Sequence, residues 1–436
     1  MALLRSLTSG VSSLRSHQQR LDVISNNIAN VNTIGFKASE VLFAEQLAQT
    51  LAAATAPSTV FGGRNPLQIG LGVRMGAVRT DFAQGALRTT NRPLDAALNG
   101  EGFFIYRLNG VSYYSRAGAL SLDRDGNIVD STTGAIIQGY NIVRDTNGRP
   151  IKDANGFNVL ARQLSGLRID PGVRSAPRQT ETISLSGNLS ATLATGETAQ
   201  ASVTVYDNVG NTHILQLTFT KTANPGEFTL SATLDGNALT LPTTTVQFNP
   251  DGSLASPLTM SITGADLNAA LGGGAQPFDG TKTLTIELAR AGDLLSGITQ
   301  FAASSTLTVS QQDGFPPGDL QNLSIDSTGK IIGLFTNGQS EILGQLAIAR
   351  FSNPAGLTRD GNGMFVVSPN SGLPIVGTAV EIFQSTSVVG GALEESNVDL
   401  TEQFADMIST QRAFEAAART ITVSDQLLQE VTNLKR

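Results

Sequence analysis

The chain has 436 residues, 29 Lys and Arg against 36 Asp and Glu for a net charge of −7, and no cysteine. Without cysteine there are no disulfides, no thiolate metal sites and no thiol catalysis. An acidic balance with no basic block argues against nucleic-acid binding, which needs clustered Lys and Arg to release counterions. At roughly 100–200 residues per domain the length predicts two to four domains.

Residues 1–30 predict a helix. Leu7, Leu14, Leu21 and Ile28 repeat every seven residues, with Leu4 and Val11 at the partner position and Ile24 beside the stripe. The opposite face is polar, so the pattern is a coiled-coil seam. Met1-Ala2-Leu3-Leu4-Arg5 does not open a secretory signal, because polar residues interrupt it. No run of about 18 apolar residues follows anywhere, so no membrane-spanning helix is predicted. Residues 37–56 are an Ala-rich amphipathic stretch with Phe43, Leu47 and Leu51, and Pro57 to Gly76 reads as an extended Gly/Pro-rich loop.

Short strands and tight turns come next. Gly102–Arg107 and Val111–Ser115 flank Asn109-Gly110, and Leu120–Asp123 and Ile128–Asp130 flank Asp125-Gly126-Asn127, both hairpin patterns. Leu323-Ser324-Ile325-Asp326 followed by Gly329-Lys330-Ile331 parallels the second hairpin. Residues 77–145 and 315–397 are therefore expected to pair into one split β domain. Residues 146–314 are expected to form an inserted all-β domain, a sandwich or barrel, with strands Ala201–Tyr206, His213–Lys221 and Phe228–Leu234. At the C-terminus Leu400, Met407, Phe414, Ile421 and Leu428 hold a second seven-residue repeat, widened by Phe404, Ala418, Leu427, Val431 and Leu434. The expected fold is mainly β with long terminal helices, 1–30 and 398–436 forming a coiled-coil-like inner domain and 31–76 a linking segment.

Catalytic chemistry has little to stand on. The two histidines, His17 and His213, have no metal-ligand spacing around them and no Gly-x-Ser-x-Gly elbow nearby. Asp123-Arg124-Asp125-Gly126-Asn127 places its glycine too early for a calcium loop and reads as a turn. Gly70-Leu71-Gly72-Val73-Arg74-Met75-Gly76 has one residue too many for a dinucleotide fingerprint. Glu394 and Glu395 are adjacent and would not face each other as an acid/base pair. No cofactor is expected. A secreted β-domain enzyme or adhesin stays open as a rival, to be marked by a His- or carboxylate-lined pocket.

The run Leu21-Asp22-Val23-Ile24-Ser25-Asn26-Asn27-Ile28-Ala29-Asn30-Val31-Asn32-Thr33-Ile34-Gly35-Phe36-Lys37 resembles the signature of bacterial flagellar rod and hook proteins. Gly391-Ala392-Leu393-Glu394-Glu395-Ser396-Asn397-Val398-Asp399-Leu400, continuing through Met407-Ile408 and Gln411-Arg412-Ala413-Phe414, resembles the matching end of that axial family. Val203–His213 and Asp313-Gly314-Phe315-Pro316-Pro317-Gly318-Asp319-Leu320 are similar to hook segments, and the large insertion exceeds the simpler rod proteins. Residues 45–75 are longer than in the shortest hook proteins and also resemble a distal rod protein, which keeps the rod alternative open.

The resemblance implies a homo-polymer on the extracellular flagellum. Its implied partners are the distal rod protein, the hook cap, the hook–filament junction proteins and the type III export apparatus, with neither nucleic acid nor lipid membrane among them. It also implies a motif set of Asn26, Asn27, Asn30, Asn32, Thr33, Gly35, Phe36, Lys37, Ser396, Asn397 and Val398. A lone helix of this length is marginal in water, so the ends are expected to order fully only when neighbouring copies cover both seams.

Overall fold

In this computed structural model the described residues are 2–57, 62–146, 150–153, 156–272, 277–289 and 297–433, with side chains except at 2–4 and 431. Leu4, Val431 and Leu434 of the predicted stripes thus lie outside the described side chains. The chain divides into two compact units. One comprises Met1–Pro171, Leu323–Gly333 and Glu341–Arg436, the other Gly172–Asn322 and Leu334–Ser340. The described α-helices are α1 (Ala2–Ala29), α2 (Gly264–Ala270) and α3 (Leu400–Asn433). The fold is mainly β with long helices at both ends, as the two periodicities predict.

In the first unit α1 and α3 pack together antiparallel. Ser6 Oγ lies 3.1 Å from Ser424 Oγ, Arg20 Nη2 bonds Asp406 Oδ2 at 2.8 Å, and Asn27 Nδ2 donates to Gln403 Oε1 at 2.9 Å. Asp399 starts α3 by accepting from the backbone N–H of Thr401 at 2.7 Å, which satisfies one of the orphan donors of a first turn. With 34 residues, α3 is about 51 Å long.

Residues 39–52 and 67–76, expected within an amphipathic stretch and an extended loop, instead belong to a two-stranded ribbon, and residues 58–61 of that loop lie outside the described residues. Ser39–Glu45 pairs antiparallel with Val73–Thr80, with a register shift between Leu42 and Phe43, and Ala48–Ala52 pairs with Leu67–Gly70. Its apolar residues Leu42, Leu47, Leu51, Leu67, Ile69 and Val78 are exposed, so no alternating buried face marked it as strand. The ribbon lies along α1, where Ser12 Oγ accepts from Val73 N at 3.3 Å and His17 meets the edge of Phe43 at 5.5 Å. A β-carbon on Gly72 would fall 2.3 Å from Ser12 Oγ, so that crossing needs glycine.

The rest of this unit is sheet. Phe103–Leu108 and Val111–Ser115 form the expected hairpin, with Asn109 and Gly110 both at positive φ. Segments from late in the chain complete the sheet: Ile348–Arg350 pairs with Phe103–Leu108, Met364–Val366 with Val111–Ser115, and Ser340–Leu346 with Ile136–Asn141. Phe103, Ile105, Tyr114, Ala347, Ala349 and Phe365 form an apolar cluster there, with Phe82 and Phe351 packed against it. Two further pairs bring the C-terminal approach onto the N-terminal half: Ser387–Gly390 on Ala96–Asn99, and Ala392–Glu394 on Leu87–Thr89.

In the second unit Thr198–Tyr206, Thr212–Lys221 and Glu227–Leu234 lead a six-stranded antiparallel sheet. A five-stranded sheet contains Thr182–Asn188, Thr259–Thr263 and Thr283–Glu287. Residues of both sheets, among them Ile183, Leu185, Leu217, Phe219, Leu230, Ile262 and Ile286, bury into one core, which makes a sandwich.

Candidate assembly interface

The seam residues occupy the half-buried flank of the helix pair. Leu7, Leu14, Leu21 and Ile28 on α1, and Met407, Phe414, Ile421 and Leu428 on α3, are all partly covered, while Leu400 is exposed. The deepest positions on α3 are small ones: Thr410, Ala417 and Ser424, seven residues apart, are buried. Ile421 lies over Gly10, where a β-carbon would come within 2.9 Å of it. Small residues let the two helices approach closely, so the large apolar side chains are pushed to the edges of the contact. Val11, Phe404, Ile408, Val423 and Leu427 remain exposed. The helix pair therefore carries more apolar surface than its own contact covers.

The two motif segments meet where α1 ends and α3 begins. Asn27 is buried and binds in three places: its Nδ2 donates to Ser39 O at 2.8 Å and to Gln403 Oε1, and its Oδ1 accepts from Ser39 N at 3.0 Å. Asn30 folds back onto Asn26 O at 2.9 Å, and Thr33 Oγ1 donates to Asn30 Oδ1 at 3.1 Å; Asn26, Asn32 and Thr33 are themselves exposed. Gly35 has φ +67°, and a β-carbon there would sit 2.6 Å from Ala117 N, so the turn needs glycine twice over. Its N–H donates to Glu394 O at 2.8 Å. Asn397 Oδ1 accepts from Ala38 N at 2.8 Å, while its Nδ2 donates to Asp81 O at 3.0 Å. Val398 N donates to Ser396 Oγ at 3.3 Å, turning the chain toward α3.

At the centre is a buried charge cluster. Lys37 and Glu394 have fully buried side chains, and Lys37 Nζ donates to Glu394 Oε1 and to Ala83 O, each at 2.6 Å. Gly85 N donates to the same Oε1 at 2.9 Å. Arg116 Nε lies 3.3 Å from Glu394 Oε2, an ion pair without hydrogen-bond geometry, and Arg116 Nη2 donates to Gly100 O at 2.8 Å. Burial holds Lys37 below its ordinary range and Glu394 opposes that; burial likewise lowers Arg116. Arg359 reaches Lys37 O and stacks over Phe36 at 5.0 Å.

Arg116 and Arg359 were not among the residues singled out from sequence, and Glu394 was weighed there only as half of an adjacent Glu-Glu pair. The resemblance alone pointed to Lys37, and nothing local pairs it with a carboxylate 357 residues on. The histidines stand apart from this cluster. His213 Nδ1 lies 2.7 Å from Asp235 Oδ2 in the second unit, and among the described residues no group of three or more His, Cys, Asp or Glu is placed to hold a metal.

Four segments match known families. Residues 7–37 match "Flagella basal body rod protein", 97–191 "Flagellar hook protein FlgE/F/G D1 domain", 178–315 "Flagellar basal body protein FlaE D2 domain", and 389–434 "Flagellar basal body rod FlgEFG protein C-terminal". The flagellar hook protein FlgE of Borreliella burgdorferi is 36% identical over 460 aligned residues, covering 99% of this chain and 100% of that one. That of Treponema pallidum is 36% identical with all of both chains covered, and that of Salmonella typhimurium 31% with 99% and 100% covered. The contacts around Lys37 and Glu394 thus act as a clasp that joins the two segments matching the rod-family ends, and the chain belongs to the flagellar hook protein FlgE family.

Proposed function

We propose that copies of this chain polymerise into the flexible tube of the bacterial flagellar hook, which passes torque from rod to filament. The family is structural and not enzymatic. The observation that carries the reading is the apolar surface left on α1 and α3 in a chain related end to end to hook proteins. In a tube, neighbouring helices cover the remaining exposed surface of Val11, Leu400, Phe404, Ile408, Val423 and Leu427, each already about half covered in the single chain, at roughly 1 kcal/mol apiece. The segment at 45–75 wedges against neighbouring copies and stiffens the tube. The chain leaves the cell through the type III apparatus. It assembles outside between the distal rod protein and the hook–filament junction proteins, under a hook cap.

Negative-stain microscopy of the purified protein tests self-assembly: tubes are expected, and their absence under all polymerising conditions overturns the reading. Labelling purified hook–basal bodies separates the two axial roles. Label on the curved segment supports the hook, and label confined to the straight shaft beneath it makes the chain a distal rod protein.

A further inference from the structure

We propose that Glu394 acts as a latch, so that the N-terminal motif closes, and α1 seats for assembly, only when the C-terminal segment of the same chain is in place. The inference rests on the self-assembly reading for its consequence, not for its geometry. Residues 35–38 are held mainly by groups that arrive late in the chain. Gly35 N binds Glu394 O, Ala38 N binds Asn397 Oδ1, Lys37 O receives Arg359, and Lys37 Nζ binds Glu394 Oε1. Glu394 itself is delivered by the Ala392–Glu394 strand. Until that strand has paired, closing the motif would bury the Lys37 ammonium with only Ala83 O to receive it, which is strongly unfavourable.

The charge count makes the latch asymmetric. Two buried cations, Lys37 and Arg116, share one buried carboxylate, so the cluster carries one excess positive charge. Asp81 and Glu101 act on it electrostatically from outside. Replacing Glu394 by Gln keeps the shape and raises the excess to two. Replacing Lys37 by Met leaves Arg116 and Glu394 balanced. Making both changes returns the excess to one, as in the native cluster. A truncated chain that lacks residue 394 has no way to close the motif, and so cannot enter a growing tube as a faulty subunit.

The test uses full-length protein carrying Lys37→Met, Glu394→Gln, or both. Readouts are tryptic cleavage after Arg116, which is buried in the native cluster, tube formation, and melting of the second unit as a folding control. Glu394→Gln is expected to speed cleavage by at least about tenfold and abolish tubes with the control unchanged, since it strands two cations. Lys37→Met should be the mildest, and the double variant should recover part of the protection that Glu394→Gln alone loses. Wild-type protection in Glu394→Gln, or a double variant worse than Glu394→Gln, overturns the latch. If wild-type protein forms no tubes, the polymer reading fails, and the cleavage order still decides the latch.

Discussion

Gly35 and Asp207 show how single residues fix this chain. At Gly35 a methyl group meets both an unfavourable φ and backbone 2.6 Å away. Gly35→Ala should therefore destabilise the first unit by about 2–4 kcal/mol, combining left-handed strain with overpacking. Thermal unfolding of the full chain checks this, with the second unit's transition as internal reference. Asp207 is fully buried at a turn. Burial pushes its carboxyl up, but hydrogen bonds from the Asn211 side chain and from the backbone of Asn211, Val209 and Gly210 hold it below its ordinary value. A depressed carboxyl contributes stability above its unfolded pKa of about 3.9 and loses it as pH falls through the lower folded value. The second unit should thus lose stability as pH falls below about 4, and Asp207→Asn should lessen that dependence, which Asp235, Asp251 and Asp279 share, while lowering stability at neutral pH. Circular dichroism across pH 2 to 7 reads both.

At the scale of elements, legibility followed how local the signal was. The hairpins were readable because a turn states its own geometry: Asn109-Gly110 supplies two positive φ values, and Asp123 and Asp326 each accept from backbone N–H groups two and four residues on. The ribbon strands at 39–52 and 67–80 were not, because most of their apolar side chains, Val41 apart, are exposed in the single chain and show no buried face of period two. The charge cluster could not be read because its members are far apart in sequence, and Glu394 stood out only as half of an adjacent Glu-Glu pair. The heptads located both helices, yet the close contact on α3 follows Thr410, Ala417 and Ser424, one register over from the large residues. Two variants separate these lines. Ala417→Leu should force α3 off α1 and cost about 1–3 kcal/mol by overpacking. Phe404→Ala together with Ile408→Ala, on exposed positions, should leave monomer stability within about 0.5 kcal/mol and suppress tubes. Normal tubes from the second variant would mean that this face of α3 stays bare in the polymer.

For the whole molecule, the question is what each unit adds to the proposed flexible tube. The first unit contains both helices, the ribbon and the clasp, and so holds the apolar surface that needs neighbours. The second unit has a complete core of its own and a polar outer sheet face. Thr198, Gln200 and Ser202 lie opposite Thr220, Thr218 and Gln216, and Thr218 and Thr220 lie opposite Ser231 and Thr229, with no charge among them. A hydroxyl- and amide-rich face makes wet contacts, exchanging bridging waters for others of similar energy, so such a contact can shift at little cost. Replacing residues 172–322 by a short Gly-Ser linker should therefore leave a protein that still polymerises, since the seams and the clasp remain, but whose tubes differ in curvature and bending stiffness. Electron microscopy gives the curvature and fluctuation analysis the stiffness. Tubes indistinguishable from wild type would remove the unit from any role in bending. A complete loss of tubes, with the first unit still folded, would make it part of the assembly contact itself.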